Sequence, residues 1–466
     1  MQKIILLHTN DIHGRVDGLA RIATLIEQIR TENPDTPVIY LDAGDSEDTS
    51  WRLSNLTKGA AMHRLLSVAG CAAATIGNGG VPRYSPHVLK DYAAVADYPH
   101  LLANVRNPDG SLLEGAQATV LLDAGSCKLG IIGLTAVILG DEPVYESAFG
   151  LLNMPALPLI HELSEELHRQ GADVVLLLSH LGLPDDLLLA PKIKDLVPVI
   201  IGAHSHHLVP GGIWSGKVLI TQAGEYAKHL GRIDLNWTGE QLQVERVTVL
   251  PVPENLAPHP RMQTAIATIE ADLNYLLGDI IGTLIEPLDY ASDRECGVAN
   301  LLADALRERT GAELALVTAG AAFTGPLPAG PLKRVVLWDV CPSPGNPSVA
   351  AMTGAQLLQT IKKGLDPLFA ARTSRALRGR QRGLMHLSGA CIRAGQLYIG
   401  TEPVEPARVY TVAGSGWELG PFGSYTDPAW NLKLTSEIQV IMRDVLDDYF
   451  PRKGPVSVEM GRLGIL

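Results

Sequence analysis

Asp11 and His13 stand two residues apart, directly after the apolar run Lys3–His8. Four more polar sets repeat that placement: Asp45 follows Val38–Asp42, Asn78 follows Ala72–Ile76, His180 follows Val174–Ser179, and His204 with His206 follow Val199–Ile201. Each set ends an apolar run, which is where strands deliver side chains to a common rim. Taken singly they say little, because Gly44-Asp45 reads as a turn and a lone histidine as an ordinary polar residue. Gly202-Ala203-His204-Ser205-His206-His207 says more, since histidines packed this densely are rarely structural. Carboxylate, amide and imidazole donors without thiolate suit Mn²⁺ or Zn²⁺, with Fe²⁺ as a third option. One ion takes about three or four protein ligands. The seven side chains of this group are enough for two ions that share a bridging carboxylate.

The elements that must position these groups alternate. Short β-rich runs at Lys3–His8, Val38–Asp42, Ala72–Ile76, Leu101–Val105, Leu129–Leu134, Val174–Ser179, Val199–Ile201 and Val218–Thr221 are interleaved with helical patterns at Leu19–Arg30, Gly59–Val68 and Pro158–Gln170. That alternation predicts a layered α/β (α+β) architecture. Two closing strands are expected in Gly231–Val252. Pro251, Pro253, Pro258 and Pro260 then mark a boundary. The expected division is 1–252 for the first domain, 253–278 for a linker with a connecting helix at Arg261–Leu277, and 279–466 for a second α/β domain. The second half opens with a helix around Ala299–Arg309 and closes with one near Glu437–Tyr449. Arg372, Arg375, Arg378, Arg380 and Arg382 crowd one short stretch, expected to be an exposed loop; Arg375 and Arg378 are candidate phosphate contacts.

With 38 Lys and Arg against 50 Asp and Glu, the net charge is −12. That argues against binding a nucleic-acid polymer, which needs a cationic surface to release counterions. It does not argue against small anions, because bound cations reverse the local field. No apolar run is long enough to span a bilayer, and Met1–Asn10 lacks the h-region of a signal peptide. The five cysteines are scattered and odd in number, as in a reducing compartment. These features predict a cytoplasmic protein without a membrane partner, and leave its oligomeric state open.

Thr9-Asn10-Asp11-Ile12-His13-Gly14, Gly44-Asp45, Gly77-Asn78, Ser179-His180 and Gly202-Ala203-His204-Ser205-His206 resemble the ordered motifs of calcineurin-like metallophosphoesterases. More narrowly the chain resembles the 5′-nucleotidase family, which includes 2′,3′-cyclic nucleotide phosphodiesterases and UDP-sugar hydrolases. Thr221-Gln222-Ala223-Gly224, Leu230-Gly231-Arg232-Ile233-Asp234, Asn300-Leu301-Leu302-Ala303-Asp304-Ala305 and Tyr410-Thr411-Val412-Ala413 extend the likeness through the second half. The resemblance implies a four-layer α/β/β/α sandwich followed by a substrate-binding domain. It implies two divalent ions, one held by Asp11, His13 and His206, the other by Asn78, His180 and His204, with Asp45 bridging. The implied activity is hydrolysis of a small phosphorylated substrate, a nucleotide or related organophosphate, by metal-activated water.

Two departures qualify that expectation. The family reads Gly-Asn-His-Glu at the asparagine ligand, with an Asp three residues after the His; this chain has Gly79 and Pro82 at those places. A positioned general acid contributes about 10²–10⁴-fold, so Arg83 and His87 become candidate substitutes. The family's Asn-x-Gly-x-x-Arg is here Thr318-Ala319-Gly320-Ala321-Ala322-Phe323, without the bidentate arginine. Trp417, Phe422 and Tyr425, in a glycine-rich loop, are candidate stacking surfaces for a nucleobase. The alternatives are a phosphodiesterase or nucleotide-anhydride hydrolase that needs no histidine acid, and a catalytically weak metal- and ligand-binding homologue.

Overall fold

Strands buried on both faces read as continuous aliphatic runs, and the first half of the chain builds two sheets from such runs. In the computed structural model, which describes residues 1–139, 142–374, 377 and 379–464, the first sheet has the spatial order Leu242–Pro251, His229–Trp237, Gln2–Thr9, Val38–Asp42, Cys71–Thr75, His100–Leu101, Ala116–Gln117. Gln2–Thr9 pairs in parallel with Val38–Asp42 and antiparallel with His229–Trp237. The second sheet runs Ile213–Ser215, Val218–Thr221, Val199–Gly202, Val174–His180, Cys127–Thr135, Thr119–Ala124, with a parallel centre and antiparallel edges. The inner faces of the two sheets share one core: Ile4, Leu6, Leu41 and Ala73 meet Leu129, Leu176, Leu178 and Ile201.

Helices close both outer faces. Ala156–Arg169 buries Leu159, Ile160, Leu163 and Leu167, a stripe at helical spacing, together with Leu183, Leu189 and Ile193 of the helix Leu183–Ile193. Val16–Glu32 buries Leu19, Ile22, Ile26 and Ile29, and Ala60–Val68 and Val88–Val95 complete that side. Each fully buried aliphatic side chain contributes about 1.5–3 kcal/mol. The result is a four-layer α/β/β/α sandwich. Because the central strands are parallel within each sheet, Thr9, Asp42, Thr75, His180 and Gly202 end at the same rim.

The chain forms two units, Met1–Asp272 and Leu273–Leu466, and the helix Pro260–Gly278 runs through the point of division. The second unit has a five-stranded sheet in the order Met385–Ser388, Leu314–Thr318, Val409–Ser415, Pro347–Thr353, Leu434–Ser436. Gly297–Thr310 and Met442–Tyr449 pack in one core and Gly354–Gly364 in the other. The last of these starts at a capping box in which Thr353 Oγ1 accepts from the Gln356 amide and Gln356 Oε1 accepts from the Thr353 amide. The final helix begins at Met442, later than its periodicity predicts. Glu437–Val440 forms a turn, with the Val440 amide donating to the Glu437 carbonyl at 3.0 Å, and Asn346 Nδ2 holds it there by donating to the carbonyls of Ile438 and Val440. Among the described residues, no helix is long and apolar enough to cross a membrane.

Candidate metal centre

The loop after the first strand is zipped onto the loop after the second. The amides of Asp11, His13 and Gly14 donate to the carbonyls of Gly44, Asp45 and Ser46 at 2.9, 3.0 and 2.8 Å. Asp11, His13, Asp45, His204 and His206 all have positive φ, between 48° and 66°. Non-glycine residues adopt that region at a cost of about 1–3 kcal/mol each, and such strain collects at functional sites. Two glycines permit the close approach: a Cβ on Gly77 would lie 2.1 Å from Asp45 Oδ1, and one on Gly44 would lie 2.7 Å from His180 Nδ1. Gly77→Ala is expected to push Asp45 out of place, lowering stability by about 1–3 kcal/mol and weakening cation binding. Urea unfolding and a Mn²⁺ titration of the variant check both effects.

The structure brings all seven sequence-predicted ligand residues together. Asp11 and His180 are fully buried and Asp45 is 4% exposed. One ligand atom from each of Asp11, His13 and His206 falls within a 4.8 Å cluster, as does one from each of Asp11, Asp45 and His180. His204 and Asn78 join the group as a pair, with His204 Nδ1 donating to Asn78 Oδ1 at 2.6 Å. The His204 amide donates to both Asp11 oxygens at 3.2 and 3.1 Å.

Acceptors behind the cluster fix three imidazoles in one tautomer. His180 Nδ1 donates to the Ala43 carbonyl at 2.7 Å, His13 Nδ1 to the Glu47 carbonyl at 3.3 Å, and His206 Nδ1 contacts the Glu225 carboxylate. Each therefore presents Nε2 inward, which is how outer partners orient metal-binding histidines. His13 Nε2 and His206 Nε2 face each other at 3.1 Å. Two lone pairs at that separation repel unless a cation or a proton lies with them. His180 Nε2 is buried without a hydrogen-bond partner and lies 3.3 Å from Asp45 Oδ2.

The electrostatics agree. Burial would lower the His180 imidazole, but the Asp45 carboxylate overrides it and carries His180 up to about 9. Burial would likewise raise Asp45. The charges of His180 and His13, with the Gly79 amide donating to Oδ1 at 2.6 Å, hold it well below the usual carboxylate range. The pocket stabilises positive charge at its centre, so the donor set fits divalent cations.

Sequence reasoning singled out neither Glu225 nor Tyr226. Glu225 holds His206, while the Tyr226 ring lies 5.8 Å from that of His13 and its amide donates to the Asp11 carbonyl at 2.8 Å. Only their position directly after Thr221-Gln222-Ala223-Gly224 could have signalled them. Asn10 anchors Asp11 through its Nδ2 at 2.7 Å.

Asp186 holds Ser179, the residue before His180. Its Oδ1 accepts from Ser179 Oγ at 2.5 Å, and Oδ2 has no partner. Burial pushes its carboxyl up to about 7. The folded chain therefore keeps a proton that the unfolded chain releases near pH 4, and stability is lost as pH rises from about 4 to about 7. Asp186→Asn removes the buried charge. Its thermal midpoint is expected to match the parent near pH 4 and to exceed it at pH 8, by a margin worth about 2–4 kcal/mol.

The remaining candidates fare unevenly. Arg83 is buried in the short helix Val81–Tyr84. His87 is exposed at the start of Val88–Val95, caps none of its amides, and among the described residues no hydrogen bond joins its ring to the metal ligands. Phe323, in place of the family arginine, is fully buried in the second unit's core. Trp417 and Tyr425 are 8% and 2% exposed, packed edge-to-face, with the Arg382 guanidinium 4.9 and 5.8 Å from their rings. Phe422, 72% exposed, keeps an open surface. Arg375 and Arg378 lie outside the described residues.

Residues 280–421 match the model of the 5′-nucleotidase C-terminal domain. The chain is 28% identical over 432 residues to an uncharacterized metallophosphoesterase, YunD, of Bacillus subtilis (strain 168), covering 88% of this chain and 91% of that one. It is 26% identical over 428 residues to an apyrase of Anopheles gambiae, covering 80% and 74%. The fold is that of a putative 5′-nucleotidase from Staphylococcus aureus solved in complex with alpha-ketoglutarate, with a TM-score of 0.69 at 18% identity over 99% of both chains. Over most of its length the chain is similar to metallophosphoesterases and 5′-nucleotidases. Against the family motifs that the sequence resembles, the ligand cluster is complete, and the departures fall at Gly79, Pro82, Thr318 and Phe323.

Proposed function

We propose that the protein is a two-metal phosphoesterase acting on a nucleotide or a similar small organophosphate. The observation that carries this reading is the inward convergence of Asp11, His13, Asp45, Asn78, His180, His204 and His206, with three imidazoles locked to present Nε2. Asp11, His13 and His206 would hold one ion, Asn78, His180 and His204 the other, and Asp45 would serve both. Bound there, Mn²⁺ or Zn²⁺ would supply charge neutralisation at the phosphoryl group and an activated water. The chain's part is positional. Ala43, Glu47 and Glu225 keep the imidazoles in their tautomer, Asn10 and the His204 amide orient Asp11, and the Gly79 amide holds Asp45 ionised. The five cysteines are unpaired and four of them are buried, which supports a reducing compartment such as the cytoplasm.

The smallest residue at Gly79 favours a refinement: the leaving group departs without a histidine acid, so anhydrides, cyclic diesters and activated esters are the better substrates. Steady-state hydrolysis of AMP, 2′,3′-cyclic AMP, UDP-glucose and bis-p-nitrophenyl phosphate, after reconstitution with Mn²⁺ or Zn²⁺, tests both statements. Turnover that needs the metal and favours the last three substrates is the expected result. No turnover with any metal would leave a binding protein in place of an enzyme.

A further inference from the structure

The metal ligands have an aromatic neighbour that their own chemistry does not use. The Arg15 guanidinium lies over two rings, 4.2 Å from the centre of Trp51 and 4.5 Å from that of Tyr226. All three residues adjoin the ligands. Arg15 Nη1 donates to the His13 carbonyl at 2.6 Å. The Tyr226 ring is 5.8 Å from that of His13 and 6.3 Å from that of His206. A Cβ on Gly14, which follows His13, would lie 2.7 Å from Trp51 Cβ, so glycine is what lets Trp51 come this close. The Trp51 amide donates to the Asp48 carbonyl at 3.2 Å and the Ser50 amide to Asp48 Oδ1 at 2.7 Å, which fixes the turn that carries the ring. Tyr226 and Ala227 are both left-handed, φ 63° and 53°, a strain that persists where the surroundings impose it and that gathers at functional sites. The Arg15 side chain is only 17% exposed and has Asp48 Oδ2 at 3.7 Å, whereas Trp51 is 40% exposed. A cation is tucked against a large ring, and much of that ring is left open beside the ligands.

We propose that Trp51, steadied by Arg15 and Tyr226, is a stacking surface for a flat ring on the substrate, a nucleobase or an aryl group, at the edge of the metal centre. This surface depends on the phosphoesterase reading, which places the phosphoryl group at the ligands, and it adds the kind of group that phosphate must carry. Stacking on an indole needs no hydrogen-bond pattern, so purines, pyrimidines and phenyl rings are all accepted. The Arg15 cation holds the indole by attraction to its ring. Trp51 is therefore a specificity residue: it meets the ring and not the phosphoryl group, and it contributes equally to ground-state and transition-state binding.

The test compares the Mn²⁺-reconstituted full chain with Trp51→Ala, Trp51→Phe and Phe422→Ala in steady-state hydrolysis of bis-p-nitrophenyl phosphate, 2′,3′-cyclic AMP and acetyl phosphate, an anhydride without a ring. Trp51→Ala should raise KM about 3- to 10-fold for the two ring-bearing substrates. Its kcat should stay nearly unchanged, and so should both constants for acetyl phosphate. Trp51→Phe, which keeps a ring, should recover most of the loss. Equal losses on all three substrates would overturn the proposal by making Trp51 a support of the ligand loop. Parent-like KM values in Trp51→Ala would overturn it too, and a rise confined to Phe422→Ala would place the ring in the second unit instead. Should no metal support turnover, the phosphoesterase reading fails by itself, and calorimetric titration of AMP into the Mn²⁺-loaded protein decides the role of Trp51. Binding weakened about 3- to 10-fold by Trp51→Ala and restored by Trp51→Phe would uphold that role; undiminished binding, or none to the parent, would overturn it.

Discussion

Asp45→Asn should lower kcat/KM by at least about 10³-fold, some 4 kcal/mol of transition-state stabilisation. Asn suits the test better than Ala because it tolerates the left-handed backbone, φ 55° at this residue, and can still accept from the Gly79 amide. What it loses is the charge that raises His180 and that two cations would share. The thermal midpoint of the chelator-treated variant should fall, since the substitution leaves the buried His180 without the carboxylate that stabilises its charge, so rates are compared at a temperature where both proteins are folded. Parent-like rates in the variant would mean that Asp45 is not part of the chemistry.

The second large effect concerns the leaving group. A series of aryl phosphates with increasingly basic phenols should show rates that fall steeply, and alkyl phosphates should lie about 10²-fold or more below the best aryl ester. With no proton donor in the Gly79 position, the departing oxygen must bear its own charge. Gly79→His should narrow the gap by raising the alkyl rate several-fold while leaving the aryl rate nearly unchanged. A Cβ there lies 3.0 Å from Asp45 Oδ1, a contact that a small shift relieves. A flat series in the parent, with AMP turned over as fast as a nitrophenyl ester, would show that another group already protonates the leaving oxygen.

Much of this was legible in the sequence because it is local. Strands buried on both sides announce themselves as aliphatic runs, and Val218–Thr221 falls where the run lies. The ligands follow strand ends, so their order along the chain already outlines the rim. The helix Leu183–Ile193 was harder to read because Pro184 and Pro191 look like breakers. Pro184 sits in the first turn, where no amide bond is lost, and Pro191 near the end of the helix. The edge strand Thr119–Ala124, only partly buried, lacks the aliphatic run of its neighbours. Trp417 and Tyr425 were open to two readings for a different reason. A glycine-rich loop with aromatics describes both a ligand-facing loop and one folded onto its own core, and only the packing against Phe369 and Arg382 separates the two. Glu225 and the carbonyls of Ala43 and Glu47 act through long-range contacts that no spacing encodes.

The central claim is that one cluster of seven side chains holds two divalent ions. Anomalous scattering from crystals of Mn²⁺-reconstituted protein tests it most directly. Two peaks are expected, one beside Asp11, His13 and His206 and one beside Asn78, His180 and His204, with Asp45 touching both. A single peak, or peaks away from these residues in an active protein, would contradict it.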